Sequence, residues 1–147
     1  MLSLNTRFLI FNLKGNVQEE ILFVIKPECL ISMLFCAKMD DNEAIIIKGA
    51  ERFSDYSGYG MSFQWKSDHR DKTQWDDTTN SLKREIIGID AIMGSRGGGQ
   101  FSPNIFERDI NKAFIGFSNQ GNRAIATGNW GCGAFGGDLH LKAFQQM

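Results

Sequence analysis

The sequence contains few of the residues that define several protein classes. Of its 147 residues, 3 are cysteines, 2 are histidines and 2 are prolines. An odd number of cysteines, with Cys29 and Cys36 in an apolar stretch, indicates free buried thiols in a reducing compartment rather than a disulfide scaffold. Neither His69 nor His140 lies near a cysteine pair, so the sequence predicts no metal site and requires no cofactor.

The sequence also lacks an excess of charge of one sign and a long apolar run. Its 16 basic residues are scattered among 17 acidic ones, which gives a formal net charge of −1. Because non-specific nucleic-acid binding needs a basic face, we expect local geometry to hold any anionic ligand. The apolar run from Phe8 to Phe11 is too short for a signal peptide, and no segment is long enough to cross a bilayer. We therefore expect a soluble intracellular protein.

What the sequence does contain is typical of one globular domain. Apolar residues make up 42% of the chain and charged residues 22%, and the 12 phenylalanines supply aromatic volume for a core. A chain of 147 residues is long enough for one domain but not for two.

Predicted strands and helices alternate along the chain. Apolar, β-branched runs predict strands at residues 21–25, 45–47, 86–93 and 124–127, with a half-exposed strand around residues 63–65. Helical spacing predicts helices after Pro27, after Ser102-Pro103, and from Leu139 to Met147. Residues 53–60, 66–83 and 94–100 are predicted loops. The order predicts an α/β fold with a mostly parallel or mixed sheet flanked by helices, and with ligands at the carboxyl ends of the strands.

The segment from Gly128 to Asp138, called the glycine loop below, has 5 glycines in 11 residues. Glycine lets backbone N–H groups approach phosphate oxygens closely. The segment is neither a P-loop nor a GxGxxG dinucleotide motif. The alternative is a turn needed only for tight packing of helix on strand, in which Trp130 and Cys132 are packing residues.

Gln18-Glu19-Glu20 precedes the first predicted strand, and a carboxylic acid is what glycosidic cleavage needs to protonate the leaving oxygen. The alternative is a solvated surface pair. In the Gly-containing segment after Phe53, Tyr59 has the chemistry to stack on a base, although composition alone favours a partly buried loop residue. Asp90 is either a structural acid or a residue near a strand end.

These segments together resemble poly(ADP-ribose) glycohydrolase. The resemblance runs from about Gly15 to Met147 and is most specific in Gln18-Glu19-Glu20 and in the glycine loop. It also includes shorter matches: Pro27-Glu28, Gly49 to Ser54, Tyr56 to Tyr59, Ile89-Asp90-Ala91 and Asn111-Lys112-Ala113.

The resemblance implies the C-terminal part of a macrodomain, a three-layer fold spanning residues 1–147, that cleaves ribose–ribose bonds of poly(ADP-ribose) without a metal or cofactor. Glu20 would be the catalytic acid, Glu19 would hold ribose hydroxyls and Gln18 would contact the sugar. Tyr59 would pack along the ADP-ribose. The diphosphate would lie on Asn129, Trp130, Gly131, Cys132, Gly133 and Ala134, and Phe135 would shape the ribose pocket.

One family feature is missing from the sequence. The family has a triple glycine, preceded by Asp and Asn, shortly before Gln-Glu-Glu. The corresponding residues 5–15 of this chain contain a single glycine, Gly15. The alternative function is therefore a catalytically silent ADP-ribose or poly(ADP-ribose) binding module. In either case the expected partner is poly(ADP-ribose) on modified proteins, in nucleus or cytoplasm, with the chain a monomer that makes no sequence-specific contact to nucleic acid and none to a membrane.

Overall fold

The structure is a computed structural model that describes residues 17–36, 38–92, 99–118, 121 and 123–147. These residues form two compact units. One contains Lys38–Ile46 and Ile87–Met147, and the other contains Ile47–Ile86 together with residues 17–36. Residues 5–15, where the family has its triple glycine, lie outside the described residues. So do Gly97 and Gly98 of the predicted loop at residues 94–100.

The first element is a helix, α1 (Gln18–Ile25), so the strand predicted at residues 21–25 is wrong. Ile21 and Ile25 lie one turn apart on one face, and Phe23 lies on the opposite face, yet all three are buried. A helix buried on two sides has the same continuous apolar run as a buried strand. The predicted helix after Pro27 is confirmed as a 3₁₀ turn, Pro27–Leu30, followed by α2 (Ile31–Phe35).

The strands form two small sheets. In the first, β1 (Ile45–Gly49), β5 (Ser81–Gly88) and β4 (Trp75–Asp76) lie in the order β1-β5-β4, with β4 antiparallel to β5. The second is an antiparallel hairpin of β2 (Ser54–Ser57) and β3 (Gln64–Asp68). The α/β class is confirmed. The β4–β5 and β2–β3 pairings are both antiparallel, so the predicted mostly parallel or mixed sheet is not confirmed. Part of the predicted loop at residues 53–60 is thus strand, because β3 supplies its ladder partner.

The longest helix, α3 (Pro103–Ser118), is confirmed at the predicted start, where Pro103 suits the first turn. The helical spacing predicts one face formed by Phe106, Ile110, Ala113, Phe114 and Phe117, and of these only Ala113 is fully buried. Phe114 is 68% exposed, whereas the residues buried along the helix are Asp109, Lys112, Ala113 and Gly116. At Gly116 an added Cβ would lie 3.0 Å from Ile89 and 3.1 Å from Ile87, so glycine permits close packing there.

The strand predicted at residues 124–127 is wrong. Within the described part of the chain, residues 123–129 belong to no strand, and their side chains are exposed. The apolar pattern misled because no described strand pairs with this segment. The closing helix is confirmed as α4 (Leu139–Gln145). Asp138 caps it, since its Oδ1 accepts a hydrogen bond from the Leu141 N–H at 2.9 Å.

Among the described residues, none of the helices is both long enough and apolar enough to cross a membrane. The same residues contain no group of three or more His, Cys, Asp or Glu side chains arranged to hold a metal ion.

Candidate active site

The predicted catalytic segment forms the first turn of α1. The Val17 N–H donates to Oε2 of Glu20 at 3.1 Å, which satisfies one of the free donors at the helix N-terminus. Oε1 of Glu20 makes no hydrogen bond to any residue that the structure describes. Glu19 and Glu20 are half-buried and Gln18 is exposed. Consecutive helical residues point about 100° apart, so the two carboxyl groups project in different directions. The separate roles expected for Glu19 and Glu20 require this.

Tyr59 lies at the tip of the β2–β3 hairpin and is 60% exposed. Its N–H donates to Ser62 Oγ at 3.0 Å, and its carbonyl oxygen accepts from the Ser62 N–H at 3.1 Å. Gly58 has a φ of +75°, and an added Cβ would lie 1.9 Å from the Ser62 carbonyl oxygen. The tight turn therefore fixes the backbone of Tyr59 and leaves its ring free to contact a ligand.

Hydrogen bonds and ion pairs stabilise the end of this hairpin opposite its tip. Arg52 donates from Nε to the Ser54 carbonyl at 3.0 Å and from Nη2 to Asp55 Oδ1 at 2.7 Å. His69 Nδ1 lies 3.0 Å from the same oxygen. The Arg52 N–H donates to Asp71, whose carboxyl group is paired with Arg84. None of these residues was predicted to support a site, because charged residues scattered through a polar stretch look like a solvated surface.

The glycine loop is closed by its own backbone. The Gly137 N–H donates to the Gly131 carbonyl at 2.8 Å, and the Gly136 N–H donates to the Gly133 carbonyl at 3.0 Å. By contrast, the N–H groups of Gly131, Gly133 and Ala134 donate to no carbonyl or side chain that the structure describes. Backbone N–H groups without partners in a glycine-rich turn are donors of the kind that binds phosphate.

Gly131 is held between two other parts of its unit. Its φ is +72°, and an added Cβ would lie 2.8 Å from the Cβ of Ala91 and 3.7 Å from Cε of Lys142. The neighbouring Trp130 is 5% exposed and packs with Ile87, Ile89 and Ala91. The alternative of a packing role is thus confirmed for Trp130, whose ring anchors the loop. Burial raises the pKa of the Cys132 thiol, which makes it a poor nucleophile.

A cluster of charged residues lies behind the glycine loop and was not predicted to belong to a site. It is called the charge cluster below, and it consists of Asp41, Asp90, Arg108, Asp109, Lys112 and Lys142. In the sequence, the charge cluster is indicated by the helical spacing of four residues that share one face of α3: Asp109, Lys112, Ala113 and Gly116.

Asp90 follows β5 and pairs with two cations, Arg108 and Lys112, so both interpretations of it are confirmed. Arg108 Nη2 donates to its Oδ2 at 2.5 Å, and Lys112 Nζ lies 2.8 Å from its Oδ1. Burial alone would lower the pKa of the Arg108 guanidinium, but its bonds to Asp41, Asp90 and Asp109 raise that pKa overall. The hydrogen bond from Arg108 lowers the pKa of Asp41.

The structure therefore brings one set of the predicted site residues together in each unit. Gln18, Glu19 and Glu20 share one helical turn, and Tyr59 lies in the same unit, on its hairpin. Asn129 to Phe135 share the glycine loop in the other unit, where Phe135 packs on the Trp130 core.

Comparison with known proteins gives a consistent family. The sequence model of the family described as "Poly (ADP-ribose) glycohydrolase (PARG), Macro domain fold" matches residues 11–147. The chain is 43% identical to "Poly(ADP-ribose) glycohydrolase 1" of Caenorhabditis elegans over 90% of its length and 19% of the relative's length. It is 38% identical to "Probable poly(ADP-ribose) glycohydrolase 2" of Arabidopsis thaliana over 88% of its length and 32% of the relative's.

The chain thus spans only about a fifth to a third of these two relatives. The matched range nevertheless contains both specific segments, the one at Gln18-Glu19-Glu20 and the glycine loop. The predicted resemblance is confirmed: the chain belongs to the poly(ADP-ribose) glycohydrolase family and its Macro domain fold.

Proposed function

We propose that this chain hydrolyses the ribose–ribose O-glycosidic bonds of poly(ADP-ribose) and releases ADP-ribose. The observation that carries the proposal is the family match over residues 11–147, which includes an acid at a helix N-terminus and a loop with free N–H donors. The names of the relatives describe the same activity.

In this proposal Glu20 is the general acid and base. The protonated carboxyl group gives its proton to the leaving ribose oxygen as positive charge develops on the sugar, and the resulting carboxylate then takes a proton from the attacking water. Oε1, which makes no hydrogen bond to a described residue, is the oxygen available for this transfer. Glu19 holds ribose hydroxyls and Gln18 contacts the sugar, because their side chains leave the helix in other directions.

The ADP part of the substrate is assigned to the other predicted residues. The diphosphate binds the glycine loop from Asn129 to Ala134, where three N–H groups have no partner in the described residues. Phe135 shapes the ribose pocket, and the exposed ring of Tyr59 packs along the ADP-ribose. An electrically balanced protein needs such local donors to hold a doubly charged diphosphate.

The test of the activity is release of ADP-ribose from labelled polymer by the full chain and by Glu20→Gln. Glutamine keeps an oxygen that accepts the Val17 N–H, so the helix cap is preserved while the proton donor is lost. We expect release to fall by at least about 100-fold, within the range of general acid catalysis. Glu107→Gln, an exposed acid on α3, is the matched control and should be fully active.

Equal release by the chain and by Glu20→Gln would contradict the role of Glu20. No release by either, together with retained polymer binding, would instead support the silent binding module.

We further propose that the chain acts on modified proteins in the nucleus or cytoplasm, as part of the response to DNA damage, and that it is a monomer. Support for a reducing compartment comes from Cys29, Cys36 and Cys132, which are all free thiols. Light scattering on the purified chain tests the monomer, and imaging of a tagged chain tests the compartment.

A further inference from the structure

Lys142 projects from α4 into the space behind the glycine loop. Its side chain is 4% exposed, and Nζ is paired with Oδ2 of Asp109, itself 1% exposed. Cε lies where a Cβ on Gly137 would be 3.2 Å away and a Cβ on Gly131 would be 3.7 Å away. The lysine stem therefore packs against both glycines whose backbones close the loop through the Gly137 N–H and the Gly131 carbonyl.

The ammonium group of Lys142 also contacts the aromatic anchor of the loop. Nζ lies 4.5 Å from the centroid of the Trp130 ring, within the range of a cation–π interaction. Nε1 of Trp130 is buried and has no hydrogen-bond partner among the described residues. The orientation of the indole therefore depends on ring contacts, of which the contact with Lys142 is the charged one.

The charge cluster contains equal numbers of acidic and basic side chains. This balance determines how Lys142 acts on the glycine loop. Three acids, Asp41, Asp90 and Asp109, are paired with three bases, Arg108, Lys112 and Lys142. A paired ammonium with no net local charge adds little attraction for a diphosphate. Its effect on the loop must come from where it holds the atoms that it touches.

We propose that Lys142 is a positioning residue for the glycine loop. Fixed by Asp109, it holds the Trp130 ring and the Gly131–Gly137 closure so that the N–H groups of Gly131, Gly133 and Ala134 keep the spacing that a diphosphate requires. This inference rests on the proposed ADP-ribose-binding role of that loop. Lys142 does not touch the reacting sugar, so it acts through binding and orientation.

The experiment compares the full chain with Lys142→Met and with the double variant Lys142→Met/Asp109→Asn. Methionine keeps most of the stem but removes the ammonium group. The single variant leaves the buried Asp109 carboxylate with Arg108 as its cationic partner but without Lys142. The double variant also removes that carboxylate charge, so it keeps the test valid if the single variant does not fold. ADP-ribose affinity is measured by calorimetry, and the indole N–H resonances of the three tryptophans are followed by NMR.

For the folded variant we expect ADP-ribose to bind at least about tenfold more weakly. Turnover of polymer should fall by about 100-fold in kcat/KM, as a loosened binding geometry predicts. The Trp130 indole resonance should shift, whereas those of the exposed Trp65 and Trp75 should not.

Lys112→Met is the matched control. Lys112 is fully buried in the same charge cluster, where it pairs with Asp90 and donates to the carbonyls of Asp40 and Glu43. It makes no hydrogen bond or ion pair to a described residue of the glycine loop. We expect it to lower the melting temperature while the ADP-ribose affinity stays within about twofold. A merely structural role for Lys142 would give the same result as this control.

A folded Lys142 variant with unchanged ADP-ribose affinity would overturn the inference and leave the proposed function standing. If the unsubstituted chain does not bind ADP-ribose, the proposed function fails and the ligand part of this inference fails with it. In that case an unshifted Trp130 resonance in the variant would overturn the positioning role as well.

Discussion

Asp71 and its partner Arg84 connect three segments of their unit: residues 50–52, residues 71–73 and β5. Oδ2 accepts the Arg52 N–H at 3.0 Å, Oδ1 accepts the Thr73 N–H at 2.9 Å, and Arg84 pairs with both oxygens. Arg84 also donates to the Ala50 carbonyl at 3.3 Å. The bonds from Arg84 hold the pKa of Asp71 well below its ordinary value, with the N–H groups of Thr73 and Arg52 adding to the effect. The side chain of Asp71 is only 2% exposed, so this pair is a major support of the hairpin that carries Tyr59.

We expect Asp71→Asn to destabilise the protein at pH 7 by roughly 3 kcal/mol, because it leaves the partly buried Arg84 without its charge partner. The folded pKa lies below the unfolded value of about 4, so the stability from ionised Asp71 is fully present above about pH 4. It is lost as the pH falls from there toward the folded pKa. Urea unfolding at pH 7 and at pH 3, followed by tryptophan fluorescence, measures both effects.

The variant should therefore lose less stability on acidification than the unsubstituted chain. Asp68→Asn, an exposed acid on β3, is the control and should change neither quantity. Equal acid sensitivity of the chain and Asp71→Asn would contradict the assignment.

Single residues differ in how far the sequence predicts them. The special backbone of Gly131 was predictable as a class, because a glycine-dense segment implies positive φ and close approach. Its neighbours were not predictable, since Ala91 and Lys142 lie 40 and 11 residues away in a sequence that gives no pairing signal. The buried Lys112 was missed for a related reason: a lysine is buried only when its partners are present, and those are backbone carbonyls from another segment.

At the level of elements, the sequence predicts α3 and α4 well. Each begins at a local capping signal, Pro103 in one case and Asp138 in the other, and a cap depends only on adjacent residues. It fails at residues 21–25 and 124–127, where an apolar run alone had to decide between helix, strand and neither. A strand needs a ladder partner, and an apolar run does not say whether one is there.

The β2–β3 hairpin depends on its turn, and two glycines in it make a matched pair. Gly58 has a φ of +75° and no room for a Cβ, which would lie 1.9 Å from the Ser62 carbonyl oxygen. Gly60 has a φ of +58° but open space around it. We expect Gly58→Ala to displace the turn, lower the melting temperature and weaken ADP-ribose binding through Tyr59. Gly60→Ala should carry only the backbone cost of about 1 kcal/mol.

Thermal melts and ADP-ribose calorimetry on both variants test this comparison. If Gly58→Ala and Gly60→Ala have the same melting temperature, contact with Ser62 does not control the turn. If Gly58→Ala melts early but binds ADP-ribose normally, the turn stabilises the hairpin without positioning Tyr59.

For the whole molecule, family membership and the proposed activity depend on different features of the sequence. Membership of the family depends on contiguous segments such as Gln18-Glu19-Glu20, which remain recognisable whatever the fold does around them. The proposed activity assigns roles to residues that are far apart in sequence, with Glu20 in one unit and the glycine loop in the other. A linear pattern identifies each part, and measured hydrolysis tests whether the two parts act on one substrate.

The chain exposes a group of large apolar side chains on α2. Leu34 and Phe35 are each 82% exposed, and Ile31 is 56% exposed. Side chains that bury little area contribute little to folding, so we expect Leu34→Ser/Phe35→Ser to shift the melting temperature by no more than about 3 °C. The same substitutions should reduce binding of the dye ANS and slow aggregation, because they remove an exposed apolar patch. Ile21→Ser is the contrasting control: Ile21 is 3% exposed in α1, and its loss should cost at least about 2 kcal/mol. A double α2 variant that melts as early as Ile21→Ser would show that this patch is packed in solution.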